Sequence, residues 1–218
     1  MKVLDLFAGL CGWSNPFATR GHDTFTIELE TRFPSIDWYA DIQTVSGSEI
    51  LRRSEWDRVD ILLASPPCTA FTTMTMGRNW TYDGEPRTPT AEMGKRLFMD
   101  TYRLIRELRP RYIVIENPRA RLRTLPFAPD LIANLTRSTV WYCRYGEQRA
   151  KPTDIWHNIP TWIPREGCRN GFPDHLAAPR GSTSGTQGMP SDIAARIPVA
   201  LATEISEAVE RAMASQWG

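Results

Sequence analysis

The chain has no excess of charge of either sign. Its 26 Lys and Arg residues stand against 25 Asp and Glu, a net charge of +1, so the total does not announce a nucleic-acid partner. No apolar run approaches the roughly 20 residues of a membrane span, and no membrane partner is expected. No signal peptide opens the sequence, because "MKVLDLF" runs straight into a strand pattern. Four cysteines (Cys11, Cys68, Cys143 and Cys168) form no CxxC pair. Cys168 and His175 are only two potential ligands, so no metal site is expected. These absences fit a reduced, cytoplasmic protein with free thiols. No internal repeat is visible.

The 218 residues, 41% hydrophobic, suit a single domain over 1–218 with a full core. Strand patterns ("KVLDLFA", "DTFTIEL", "VDILLAS", "RYIVIEN") alternate with helical ones. The helical patterns begin at "WSNPFATR" and at "SGSEILRR", with Ser46 as cap. They continue over residues 91–108 and end with "PVALATEISEAVERAMA". "TVWYCRY" reads as a further strand. The βαβα order predicts an α/β fold, a mostly parallel sheet with helices on both faces. Residues 158–192, rich in Pro, Gly, Ser and Asn, read as one irregular insert. Basic residues crowd the stretch from Lys95 to Arg123, either as a solvated helix face or as a phosphate-contacting surface.

In such sheets ligands sit at the carboxyl ends of the strands. The first strand ends in "DLFAGLCGWS", where Gly9 and Gly12 permit a tight turn and close approach of a ligand. Glu28 and Glu30 follow the second strand, where an acid commonly takes ribose hydroxyls, and Asp41 follows the next. Together they favour an adenosine-containing cofactor. The third glycine of a dinucleotide fingerprint is missing, which serves a pyrophosphate poorly; S-adenosylmethionine has no phosphate and tolerates the looser turn. The next strand end is "SPPC". Pro66 and Pro67 stiffen the chain directly before Cys68, which suits a thiol that must meet its target in one geometry.

"DLFAGLCGWS", "SPPCTAF" and "IENPR", in this order and spacing, resemble the DNA cytosine-5 methyltransferases. "WYCRYGEQRAKPTDIWHN" and "ARIPVALATEI" look most like their compact bacteriophage members. The resemblance implies a Rossmann-like class I S-adenosylmethionine-dependent methyltransferase fold acting on DNA, inside a bacterial or phage-infected cell. It implies Cys68 as the nucleophile that adds to carbon 6 of a flipped-out cytosine. It implies Glu116 as the acid at ring nitrogen 3, partly buried so as to hold a proton, with Asn117 fixing the loop. Either Arg149 or Lys151 reaches the cytosine O2. For the cofactor it implies Asp5, Phe7, Ala8, Gly9, Leu10, Gly12 and Trp13 around the turn. It adds Glu28 and Leu29 at the ribose, Asp41 and Ile42 at adenine, and Ser65 and Pro66 beside the nucleophile. The long segment after Cys68, with Gly77, Gly84, Arg78, Trp80 and Tyr82, looks like the family's closing loop. DNA contacts are expected from Arg78, Trp80, Arg119, Arg165, Arg169 and Arg180.

Two departures stand out. Pro118 replaces the usual valine after the asparagine, and "ARIPVAL" stands where the family has a Gly-Asn-x-Val turn. The short insert leaves little to read DNA with, so a short or relaxed target is expected, from a monomer or a homodimer. The alternatives are an RNA cytosine-5 methyltransferase and a non-catalytic DNA- or cofactor-binding protein that keeps the fold.

Overall fold

A computed structural model describes residues 1–72, 75–127, 132–169, 175 and 195–215. Strands β1 (Lys2–Leu6), β2 (Asp23–Glu28), β3 (Trp38–Tyr39), β4 (Ile61–Ala64), β5 (Tyr112–Pro118), β6 (Thr136–Trp141) and β7 (Pro152–His157) form one sheet. Its order is β3-β2-β1-β4-β5-β7-β6. The pairs from β3 to β5 are parallel, and β7 runs antiparallel to both of its neighbours. The mostly parallel expectation holds.

The helices are α1 (Ser14–Thr19), α2 (Gly47–Ser54), the short α3 (Met76–Asn79), α4 (Pro89–Leu108) and α5 (Val199–Ala214). The strand period of two sorts the core into two layers. Val3, Ile61, Leu63, Tyr112 and Val114 pack with Phe17 of α1 and with Leu201 and Ile205 of α5. Leu4, Leu6, Leu62, Ala64 and Ile115 pack with Ile50 of α2 and with Phe98, Leu104 and Ile105 of α4. All four residues of β4 are buried, as a central strand covered on both faces requires.

Local chemistry sets the helix ends. The Ser46 hydroxyl accepts from the Glu49 amide at 3.2 Å and starts α2. Thr88 caps α4 through the Ala91 amide, with Pro89 in the first turn, so α4 starts two residues earlier than residue 91.

Strand β7, "PTDIWH", was not expected from sequence. Its Asp154 is fully buried, and a carboxylate reads as a surface residue until its partners are known. Arg123 donates to both Asp154 carboxylate oxygens at 2.9 and 2.7 Å, and the Thr139 hydroxyl adds 2.7 Å. "TVWYCRY" divides into the end of β6 and a 3-10 turn, Tyr142–Tyr145. The carboxyl ends of β1, β2, β4 and β5 lie along one edge of the sheet, and β7 enters from the same edge beside β5.

Candidate active site

The turn after β1 is held in an unusual backbone. Phe7 (φ 59°), Gly9 (φ 51°) and Cys11 (φ 55°) all lie in the left-handed region, which costs a non-glycine residue about 1 kcal/mol or more. Glu28 accounts for that arrangement. Its carboxylate accepts from the Gly9 amide at 3.0 Å and from the Leu29 and Glu30 amides at 2.8 and 3.0 Å. It thus ties two strand ends together. A carboxylate offers about four acceptor positions, so one remains on Glu28. Burial raises the pKa of Cys11 to about 11 and keeps that thiol inert.

Asp5 is buried behind the turn. One carboxylate oxygen accepts from the Ser14 amide at 3.2 Å, and Oδ1 has no hydrogen-bond partner. Burial pushes its carboxyl up to about 7, against a pull from Ser14. Trp13 donates from its indole to the Ser65 hydroxyl at 2.9 Å, linking the β1 turn to the end of β4. A Cβ placed on Gly12 would sit 3.1 Å from Ile197 Cβ. Gly12 therefore serves the packing of Ile197, just before α5. Ala8 is buried, with its amide on the Ile27 carbonyl, while Leu10 and Leu29 are exposed apolar residues. The Asp41 carboxylate accepts from the Gln43 amide at 3.0 Å. Ile42 is a core residue only 3% exposed.

At the end of β4, Pro66 is buried and Cys68–Ala70 form a 3-10 turn. The Asn117 side chain, fully buried, donates to the Pro66 carbonyl at 3.0 Å and locks this turn to the end of β5. Half-buried Cys68 has its thiol pKa raised, first by burial and then by the nearby charge of Glu116; the Lys151 ammonium pulls it back down. Glu116 is buried and accepts from the Tyr142 hydroxyl at 3.0 Å. Lys151 Nζ stands 3.6 Å from the same Glu116 oxygen and 4.7 Å from the Tyr142 ring centre. Burial, with Glu116 beside it, holds the Tyr142 phenol well above its ordinary pKa, so it stays a neutral donor.

The structure thus brings Cys68, Glu116 and Lys151 together from three elements. Arg149 is placed differently. It is 1% exposed, donates to the Arg196 carbonyl at 2.8 Å and lies 5.4 Å from the Tyr142 ring centre. Tyr142 was not singled out from sequence; a tyrosine two residues after a strand's β-branched pair reads as core filler.

The segment after the turn is bolted to it. Asn79, fully buried, donates to the Ala70 carbonyl at 3.2 Å and accepts from Thr88 at 3.0 Å. Arg121 donates to the Thr81 and Tyr82 carbonyls. Trp80 corrects an expectation: its indole donates to the Ala70 carbonyl at 2.7 Å and stacks on Phe71 at 5.7 Å, leaving it 3% exposed. It is a core residue and cannot offer its ring to DNA. Arg78 and Tyr82 are exposed on the same segment. Arg119 is exposed and lies 6.0 Å over the Trp141 ring. The Arg165 guanidinium is partly exposed, pairs with Glu204 and donates to the Arg144 carbonyl. Arg169 is exposed and pairs with Glu166 at 3.2 Å. Arg180 lies outside the described residues.

A mostly parallel seven-stranded sheet with helices on both faces has the Rossmann-like methyltransferase fold, and Cys68 and Glu116 stand at its strand ends. The chain belongs to the C-5 cytosine-specific DNA methylase family, whose model matches residues 1–124. The Type II methyltransferase M1.HphI of Haemophilus parahaemolyticus is 30% identical over an alignment of 137 residues that covers 57% of this chain and 34% of that protein. Among solved structures, a DNA modification methyltransferase encoded within an E. coli prophage superposes with a TM-score of 0.56 at 18% identity, over 82% of this chain and 57% of its own. The Entamoeba histolytica methyltransferase EhMeth gives 0.56 at 11% identity, over 78% of this chain and 57% of its own. The S. pombe Dnmt2 methyltransferase gives 0.51 at 14%, over 72% and 48%. The chain therefore spans about a third of the length of its curated relative and about half that of its structural neighbours. Among the described residues, no helix is long and apolar enough to cross a membrane.

Proposed function

We propose that the protein transfers a methyl group to carbon 5 of cytosine in DNA, through a covalent bond between Cys68 and a base flipped out of the duplex. The observation that carries this reading is the convergence of Cys68, Glu116 and Lys151 at the ends of β4 and β5 and the start of β7.

Cys68 must lose its proton before its sulfur can add to carbon 6. Burial and Glu116 oppose that loss in the free protein, and Lys151 favours it. The thiolate forms against that opposition, with the Lys151 ammonium beside it. Addition sends negative charge into the ring. Glu116, acting as a carboxylic acid, gives its proton to nitrogen 3 and Lys151 donates to O2, with Tyr142 holding the carboxyl in register. Lysine gives a single point donor there where an arginine would give a fork. Asn117 and the two prolines keep the sulfur on one ring face.

S-adenosylmethionine supplies the electrophilic methyl group when bound. The residues fit it: the turn from Phe7 to Cys11 exposes backbone in left-handed conformations, Glu28 keeps an acceptor for a ribose hydroxyl, and Asp5 keeps an unpartnered oxygen. Leu29 offers an exposed apolar side chain to the adenosine, and Asp41 a carboxylate to its amino group. Residues 75–88, bearing Arg78 and Tyr82, close over the flipped base. The 158–192 insert stands in place of a full target-recognition region.

DNA carrying 5-fluorocytosine tests the reading, because fluorine at carbon 5 blocks the final elimination. Wild-type protein should form an adduct that survives denaturation, and Cys68→Ser should bind cofactor without forming it. Methylation of ordinary cytosine without any adduct would refute the covalent step. Adducts on RNA but not DNA would move the substrate to RNA.

A further inference from the structure

We propose that Cys143, Cys168 and His175 bind a zinc ion that pins the start of the irregular insert to the turn carrying Tyr142. Their ligand atoms all lie within 4.8 Å of one another, and Cys168 Sγ is 3.2 Å from His175 Nδ1. A tetrahedral zinc with bonds of about 2.3 Å to sulfur and about 2.05 Å to nitrogen needs ligand separations of about 3.6 to 3.8 Å. The trio meets that with shifts of well under a bond length. Two thiols with one imidazole form a soft donor set that selects zinc over magnesium or calcium. Water completes the tetrahedron.

The surroundings are arranged for such a clip. The Arg144 guanidinium donates to the Glu166 carbonyl at 3.2 Å, and the Arg165 amide donates to the Tyr145 hydroxyl at 3.0 Å. A Cβ on Gly167 would stand 3.0 Å from the Trp141 ring, so only glycine lets the chain lie so close. Cys168 is thereby delivered to Cys143 by contacts that need no metal. The described residues from 158 to 169 contain no helix or strand; Ile159 and Trp162 anchor their start in the core, but Arg165 to Arg169 is a polar run, and an ion there supplies what a core does not. Cys143 directly follows Tyr142, whose hydroxyl donates to Glu116. The ion would therefore steady one wall of the candidate active site. On binding, each thiol gives its proton to solvent and becomes a thiolate, so affinity falls as pH falls.

Metal analysis of full-length protein purified without chelators tests the site. About one zinc per chain is expected, as is usual for a structural site. Cys168→Ser and His175→Ala should each lower zinc affinity at least tenfold, and Cys68→Ser should retain the metal. Should those variants misfold, the wild-type apoprotein titrated with cobalt(II) gives the same answer. A thiolate-to-cobalt charge-transfer band in the near ultraviolet is expected. Absence of both zinc and that band, zinc retained in the Cys143→Ser/Cys168→Ser double variant, or a Cys143–Cys168 disulfide in protein kept reduced would each overturn the proposal.

Discussion

Gly94→Ala probes how tightly the position of Cys68 is set. Gly94 lies in α4, and a Cβ there would fall 2.4 Å from Ala70 Cβ and 3.3 Å from the Phe71 ring. Ordinary carbon contacts are about 3.5 to 4.0 Å, so helix and turn must separate by about 1.1 to 1.6 Å. Ala70 closes the 3-10 turn that begins at Cys68, and its carbonyl holds both Asn79 and Trp80, so the displacement is passed to the thiol. Overpacking costs about 1 to 3 kcal/mol, and alanine returns about 0.5 to 1 kcal/mol of helix propensity. The net loss of stability is about 0 to 2.5 kcal/mol, a fall of at most about 10 °C in Tm for a chain of this size. A displacement of about 1 Å at a reacting centre costs about a hundredfold in rate. Thermal melts and the rate of adduct formation on 5-fluorocytosine DNA measure the two quantities separately. Gly77→Ala is the control, since a Cβ there meets nothing within 4 Å. An adduct rate for Gly94→Ala within threefold of wild type would show that the turn absorbs the strain elsewhere.

Asn117→Ala removes the buried donor to the Pro66 carbonyl and should cost about 1 to 3 kcal/mol, read by urea unfolding, with a slower adduct rate. Arg123→Ala leaves the buried Asp154 carboxylate with Thr139 alone; because Arg123 is partly exposed, a loss near 3 kcal/mol is expected, the low end for a broken buried pair. Burial pushes the His157 imidazole down to about 4 from its ordinary 6.5. The unfolded chain therefore takes up that proton first, so the contribution of His157 is complete above pH 6.5 and is lost as pH falls through 4. Tm measured from pH 7 to pH 4 should drop in wild type and drop less in His157→Gln; parallel curves would exclude this group. Lys151→Ala should abolish adduct formation, whereas Lys151→Arg should retain part of it; an Arg149→Lys variant with the greater loss would reverse the two roles.

The parts of the fold that could be read from sequence were those where pattern and burial agree. β4 is an uninterrupted apolar run, and every residue in it is buried. Ser46 could be read as a cap because the interaction is local. The parts that could not be read depend on partners distant in sequence. β7 carries Thr153, Asp154 and His157 at buried positions, and partners such as Arg123, Thr139 and Ser138 make that tolerable. Trp80 in a glycine-containing segment reads as an exposed aromatic until Ala70 and Phe71 are placed beside it. Arg149 and Lys151 are two residues apart on a chain about to enter a strand, and nothing local says which one turns inward to Glu116. Cys68, Glu116 and Glu28 were legible because strand ends are where an α/β sheet gathers its chemistry.

The contact between Gly12 and Ile197 has a consequence for synthesis. The turn leaves the ribosome long before the residue that backs it, so strands β1 to β5 can pair while Gly12 still lacks the Ile197 contact. Such distant closures are slow and come late in folding. A nascent or interrupted chain would present Cys68 on a partly formed sheet whose β1 turn is still unbacked, so on the proposed function its chemistry would wait until α5 has docked.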